Sequence, residues 1–373
     1  MEVPLLDLKA QYERIKDEIE AALLSVLETQ RFILGENVSK FEEVLSRYVG
    51  VNYAVGVASG SDALLLSYMA LGLGEGDEIL TTPFTFFATA GSAARLGIKV
   101  VFADVREDTY NIDVDLIEER ITHRTKAIVP VHIFGQPTDM DKIMDISAKT
   151  GIPVIEDAAQ AIGASFKGKR VGSFGLVGCF SFFPSKNLGG YGDGGAVVTN
   201  DESLSELLRM LRVHGSSKRY YHEYVGINSR LDEIQAAVLL VKMRYIDMWN
   251  EERRSRARYY NLLFKEASLG EFVKTPLEME NCYHVYHQYV IRVKDRDRLQ
   301  NFLAGMGIST QVYYPVPLHL QPCFRSWGYE RGYCPIAEKL CEEVLALPIY
   351  PELSPKAQEY VVESIAKFYG KGV

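Results

Sequence analysis

A lysine set between an apolar run and a glycine-rich turn can carry covalent chemistry. Lys186 lies in Phe180-Ser181-Phe182-Phe183-Pro184-Ser185-Lys186-Asn187-Leu188-Gly189-Gly190, followed by Gly192, Gly194, Gly195 and Ala196-Val197-Val198-Thr199. Glycines let backbone come close, so the amine is expected in a crowded pocket, where burial disfavours the ammonium form and frees a nucleophile. Such an amine forms an imine with an aldehyde. Upstream, Ile152-Pro153-Val154-Ile155-Glu156-Asp157-Ala158-Ala159-Gln160 ends an apolar run in two acids. Ligands of open α/β sheets sit at the carboxyl ends of strands, and an acid there can pair with a protonated ring nitrogen. Neighbouring strand side chains point to opposite faces, so only one of Glu156 and Asp157 can face the pocket. The ordinary alternative for Asp157 is the N-cap of a helix starting near Ala158. A third segment, Val55-Gly56-Val57-Ala58-Ser59-Gly60-Ser61-Asp62-Ala63-Leu64-Leu65-Leu66, is a short strand, a small-residue turn and an apolar helix. Backbone N–H groups from Gly60 to Asp62 would point at a phosphate there, with the Ser61 hydroxyl beside them. A plain helix cap fits the same residues.

The elements that must hold these groups alternate along the chain. Apolar positions Ile15, Ile19, Ala22, Leu23, Val26 and Leu27 have helical spacing over residues 12–29. Apolar runs recur at 53–57, 78–81, 99–103, 127–133, 153–156, 177–182 and 196–199, mostly separated by helical segments. That pattern predicts an α/β sheet, mostly parallel. From Arg230 a helical pattern through Leu231, Ile234, Ala237, Val238, Leu240 and Val241 leads out of this region, and beyond about Asn250 a helix, a few strands, Pro-rich loops and terminal helices suggest a smaller α+β domain. Gly72-Leu73-Gly74-Glu75-Gly76 precedes a strand and lacks dinucleotide-fingerprint spacing, so it is expected to end a helix. Internal repeats and low-complexity linkers are not evident.

Composition narrows the classes. At 373 residues, 47% hydrophobic, with a net charge of −8, the chain is an ordinary globular protein with no general affinity for nucleic acid or an anionic membrane. The basic run Arg253-Arg254-Ser255-Arg256-Ala257-Arg258 sits beside Glu251 and Glu252 and is expected as a solvated helix face. Five cysteines, Cys179, Cys282, Cys323, Cys334 and Cys341, include no Cys-x-x-Cys pair, which indicates neither a disulfide framework nor a zinc finger and suits a reducing cytoplasm. The N-terminus has acids where a signal peptide needs basic and then apolar residues, and no apolar run reaches membrane-spanning length. His284 and His287 are spaced as a ligand pair, but Tyr283, Tyr286 and Tyr289 interleave with them on an expected strand, which favours a structural or substrate-facing role over a metal site.

Phosphate cradle, ring carboxylate and lysine occur in an order that resembles the fold-type I pyridoxal-phosphate (PLP) enzymes, and among them the DegT/StrS nucleotide-sugar aminotransferases. Matching motifs run from Leu6-Asp7-Leu8-Lys9 through Phe32-Ile33-Leu34-Gly35, Gly60-Ser61-Asp62-Ala63-Leu64, Ile155 to Gln160, Ser181 to Lys186, Gly192-Asp193-Gly194-Gly195 and Gly226-Ile227-Asn228-Ser229-Arg230-Leu231. The resemblance implies a large PLP-binding domain over 1–249, with a mostly parallel central sheet flanked by helices, and a small C-terminal α+β domain over 250–373. It implies that Lys186 carries the cofactor as an imine, that Asp157 binds the pyridinium, and that Gln160 bonds the phenolic oxygen. Gly60, Ser61, Asp62 and Ser181 then contribute to the phosphate site, while Phe86 stacks on the ring, a residue that without the resemblance is expected in the core. Asn228 reaches the phosphate from a partner subunit, making a homodimer with shared active sites. Arg230 of the partner, Tyr313, Tyr314 and His319 are candidates for the substrate pocket, although a Tyr-Pro loop also suits packing between domains. The implied reaction moves an amino group from L-glutamate to a nucleotide-linked keto sugar, for surface polysaccharide or natural-product glycosylation. Asp108 to Asp113 and Phe134 to Met140 are similar to members that aminate the third ring carbon of a dTDP-3-keto-6-deoxyhexose or a UDP-sugar 3-ketone; amination at the fourth carbon is an alternative. A related sugar dehydratase has histidine where this chain has Lys186. A non-catalytic PLP-binding regulator is the remaining alternative, without an appended DNA-binding module to favour it.

Overall fold

Runs of β-branched and apolar residues become strands where both faces of a sheet are covered. In the computed structural model, which describes residues 1–371, these are β1 (Tyr53–Val57), β2 (Glu78–Thr81), β3 (Lys99–Phe102), β4 (Thr125–Val129), β5 (Ile155–Asp157), β6 (Val177–Ser181) and β7 (Gly195–Thr199). β2 lies parallel between β3 and β4. β5 is parallel to β6, and β7 runs antiparallel between β6 and β1. Parallel bridges from Ile128 to Val154 and from Val131 to Asp157 join the two groups. The order across the sheet is therefore 3-2-4-5-6-7-1, with β7 alone reversed.

Strand alternation sorts the core. Val55, Cys179 and Val197 pack on one face with Leu64, Leu66, Ile79 and Phe102. Their neighbours Ala54, Phe180, Ala196 and Val198 pack on the other with Phe41, Leu45, Leu231 and Leu239. The helix expected over 12–29 is Leu8–Thr29, beginning earlier because the Asp7 carboxylate caps it, accepting the Ala10 N–H at 2.9 Å. The helical pattern after Arg230 forms Glu233–Met243, and the glycines after Ala70 end the helix Gly60–Ala70 in a turn.

Toward the C-terminus, β8 (Val273–Lys274), β9 (Tyr289–Val293) and β10 (Val344–Leu347) form an antiparallel sheet in that order. Helices Ile246–Glu266, Arg296–Gly305 and Pro355–Phe368 enclose a second core around Tyr260, Tyr289, Ile291, Leu303, Leu345 and Val361. The cores do not divide at one point along the chain. Val3 is in the second, its N–H donating to Gly307 O at 2.9 Å, whereas Leu318, Phe324 and Leu340 pack with the large sheet. The basic run also departs from expectation: Arg258 is exposed, but Arg254 and Arg256 are half-buried. Arg253 is 3% exposed, not on a solvated face, and donates to the carbonyls of Tyr286, His287 and Ile349. Buried carbonyls left without strand partners supply a demand for donors that helical spacing alone does not reveal.

Candidate active site

The three segments singled out in the sequence meet at the carboxyl end of the sheet, around a cleft of about 640 Å³. The phosphate cradle comes first. Ser59 is extended and its Oγ accepts the Asp62 N–H at 3.1 Å, starting the helix Gly60–Ala70. The N–H groups of Gly60 and Ser61, in the first turn, lack intrahelical acceptors and line the cleft. A Cβ on Gly60 would stand 2.6 Å from Ser181 Cβ, and one on Gly195 would stand 2.4 Å from the carbonyl carbon of Ser59. Strand, helix start and β7 thus touch through glycine, and Ser181 is brought to the cradle.

Lys186 enters from the turn after β6. Its backbone N–H donates to Phe183 O, Phe182 N–H to Gly194 O and Gly190 N–H to Phe182 O, each at 2.8 Å. The turn is further held by the buried Lys242, whose Nζ donates to Gly189 O at 2.8 Å. The Lys186 amine has no protein hydrogen-bond partner among the described residues. Burial lowers its pKa to about 8, with Asp157 opposing.

Asp157 ends β5 facing this amine's cleft, while Glu156 points the opposite way into the core, as strand geometry requires. Glu156 is held by His132 Nε2 at 3.0 Å and by the N–H groups of Gly172, Phe174 and Gly175, each at 2.7 Å. No helix begins at Ala158, so Asp157 is not an N-cap; its Oδ1 accepts only the Ala159 N–H, at 3.2 Å, in a turn. Thr89 Oγ1 donates to its Oδ2 at 2.8 Å. Burial raises the Asp157 pKa, opposed by Thr89, the Ala159 N–H, Lys186 and His132.

Other expected residues divide. Phe86 is 56% exposed on the cleft wall, not in the core, with its ring 6.5 Å from that of Tyr314. Gln160 is oriented by the Phe134 N–H, which donates to Oε1 at 2.7 Å, and its Nε2 donates to Tyr314 Oη at 3.0 Å. Tyr313 and Tyr314 both line the cleft. Asp62 does not: its carboxylate accepts the Ser229 hydroxyl at 2.7 Å and its N–H is taken by Ser59, so it braces the cradle from behind. His319 is buried against Glu338, Nε2 to Oε1 at 3.0 Å, and faces away from the cleft although its neighbour Leu318 lines it. Asn228 is exposed and Arg230 half-buried, both outside this chain's own cleft. Sequence reasoning gave Thr89 no role, although it is one helical turn from Phe86, and it did not single out Gln288 or Gln311, which also line the cleft.

A flat, phosphorylated, aldehyde-bearing ring suits this donor set. Helix N–H groups and hydroxyls could take the phosphate, an exposed phenyl could cover a face, a buried carboxylate could meet the ring nitrogen, and an unpartnered amine could take the aldehyde. Fold and site define a PLP-dependent transferase of fold type I. The chain belongs to the DegT/DnrJ/EryC1/StrS aminotransferase family, whose model matches residues 13–366. It is 53% identical over 99% of both chains to a protein of Geobacillus stearothermophilus named pleiotropic regulatory protein. It is 45% identical to the UDP-2-acetamido-2-deoxy-3-oxo-D-glucuronate aminotransferase of Pseudomonas aeruginosa, over 94% of this chain and 96% of the relative. Among solved structures, S. venezuelae DesV in complex with ketimine intermediate matches with a TM-score of 0.96 and 40% identity, covering 100% of each chain.

Proposed function

We propose that the protein transfers the amino group of L-glutamate to the 3-keto carbon of a nucleotide-linked sugar, giving an amino sugar nucleotide and 2-oxoglutarate. The observation that carries this is the free Lys186 amine sharing a cleft with buried Asp157 and a glycine-lined phosphate cradle. When bound, PLP supplies an aldehyde for the amine and a protonated ring that draws electrons from the donor's α-carbon. Gly60, Ser61 and Ser181 would bind its phosphate, Phe86 would cover the ring, and Asp157 would hold the proton on the ring nitrogen. Lys186 Nζ, once free of the aldehyde, would take the proton from the donor's α-carbon and deliver it two atoms along, to the former aldehyde carbon of the cofactor. In the second half the same amine moves protons in reverse at the sugar carbon, so the kinetics are ping-pong. Choice of the third ring carbon is supported by the name of the 45% identical relative, which aminates a UDP-linked 3-oxo sugar. Asn228 and Arg230 complete the site of a second copy, which explains their positions outside their own cleft. The large domain over 1–249 supplies the cradle, and the C-terminal domain over 250–373 supplies the wall with Tyr313 and Tyr314.

The test mixes purified holoenzyme with L-glutamate and follows cofactor absorbance. Conversion to the pyridoxamine form with release of 2-oxoglutarate, then product only with a 3-keto sugar nucleotide, is the expected result. An unchanged spectrum with every amino acid tried removes transamination. It would favour a second reading, a regulator that binds PLP without turnover; the 53% identical relative is named a regulatory protein. Borohydride reduction followed by peptide mapping should place the label on Lys186, and a label elsewhere reassigns the anchor.

A further inference from the structure

The cleft contains an imidazole that the reaction above does not use. His287 lines the same cavity as Lys186 and is 5% exposed. Two asparagine side chains settle its tautomer. Asn250 Nδ2 donates to Ile162 O at 3.0 Å, which makes Asn250 Oδ1 the acceptor for Asn187 Nδ2 at 2.7 Å. Asn187 Nδ2 also donates to Val285 O at 3.0 Å. A carbonyl only accepts, so the amide nitrogen of Asn187 is placed and its Oδ1 is the atom facing His287 Nδ1, at 3.2 Å. Nδ1 must carry the proton to make that bond. The lone pair of the neutral ring then lies on Nε2, whose contact with the Gln288 amide nitrogen is long, 3.5 Å. The charged groups bearing on this ring are Lys186, from the turn after β6, and Arg253, from the helix Ile246–Glu266; with burial they hold it neutral, well below its ordinary pKa. Asp157, from β5, is the charged group bearing on Lys186. A donor without a protein partner and an under-used acceptor therefore share one cavity, and Asn187, which orients the ring, adjoins Lys186 in sequence.

We propose that His287 is a positioning residue whose Nε2 lone pair accepts a hydrogen bond from Lys186 Nζ when that amine, unpartnered in the structure, turns toward it. The proposal rests on Lys186 being the anchoring amine. Such a bond favours the ammonium, so it raises the titration midpoint of Lys186 above that of a site lacking the acceptor.

Two substitutions separate this role from simple support of Asn187. His287→Asn keeps a donor near the Nδ1 position and deletes the acceptor, whereas His287→Gln puts an amide oxygen near the Nε2 position. Competitive acetylation of the full-length, cofactor-free chain, quantified on the Lys186 peptide across neutral to alkaline pH, reads the midpoint. It should fall by about one pH unit in His287→Asn and stay near wild type in His287→Gln. Equal midpoints in all three proteins, or equal shifts in both variants, overturn the proposal. Imidazole nitrogen NMR of the unmodified chain should show the proton on Nδ1; a proton on Nε2 overturns it however the variants fold. Borohydride trapping tests Lys186 itself, so failure of the anchor and failure of the acceptor are distinguishable.

Discussion

Burial acts on Lys186 and Asp157 in the same sense, against charge, and it acts on an amine and a carboxyl in opposite directions of pKa. With its midpoint at about 8, Lys186 should be mostly protonated at neutral pH and free above it. In the cofactor-free chain the rate of aldehyde uptake should therefore rise about tenfold per pH unit below that midpoint and level off above it. A profile still climbing to the range of an ordinary lysine would mean that the amine is solvated. Lys186→Ala should abolish the glutamate half-reaction by a factor of about a thousand or more while PLP still binds through phosphate and stacking contacts. Asp157 is held toward its charged form chiefly by the Thr89 hydroxyl. Thr89→Val removes that donor, so the carboxyl should take up a proton more readily and the half-reaction should slow by about tenfold. Asp157→Asn should slow it by about a hundredfold or more, with phosphate-dependent binding little changed in either variant. Stopped-flow absorbance checks both, and a wild-type rate in Asp157→Asn would remove its pairing with the ring.

One side chain and one glycine decide whether the elements under the site hold their places. Glu233, 2% exposed at the start of the helix Glu233–Met243, accepts the N–H groups of Gly35, Asn37 and Val38 at 2.7, 3.0 and 3.0 Å. It caps the helix Glu36–Val49 from a distant part of the chain, because that helix starts at Gly35 with no capping side chain of its own. Glu233→Ala strands those donors and should cost about 3 kcal/mol of stability, seen as a lower midpoint in urea. Gly60→Ala places a methyl against Ser181 and should weaken PLP binding more than it weakens the fold, as equilibrium titration of the cofactor-free chain would show. Gly60 was legible in the sequence because a strand, a small-residue turn and an apolar helix form a local pattern. The strands were legible for the same reason, since buried parallel strands are continuous apolar runs; the run 127–133 overreached because β4 ends at Val129, before Pro130. Thr89 and Glu233 were not, because each acts on a residue brought near only by the fold, whereas His287, expected to be structural or substrate-facing, does line the cleft. His319 was misplaced for a related reason: a loop sequence shows that a histidine is present but not which side of the loop it leaves, and Glu338 claims it.

At the scale of the molecule, one chain leaves large apolar side chains exposed in two segments. Tyr220, Tyr221 and Val225 are 79%, 66% and 92% exposed just before Asn228, and Leu24, Leu27 and Ile33 are 57%, 48% and 48% exposed near the N-terminal helix. Large exposed apolar side chains mark interaction surfaces when they gather on neighbouring positions. The proposed two-fold pair of chains, each lending Asn228 and Arg230 to the other's cleft, would account for them together. Subunit mixing tests this directly. Arg230→Ala and Lys186→Ala should each be inactive alone, because one lacks the residue lent to its partner and the other lacks the amine. In a mixed pair, the cleft of the Arg230→Ala chain keeps its own Lys186 and borrows Arg230 from the Lys186→Ala chain, so one of its two sites is whole. Random pairing of equal amounts should recover about a quarter of the wild-type sites. Titration of active sites after dissociation and reassembly gives the number. Recovery no greater than the sum of the separate variants would place Arg230 in its own chain's chemistry or outside the chemistry altogether.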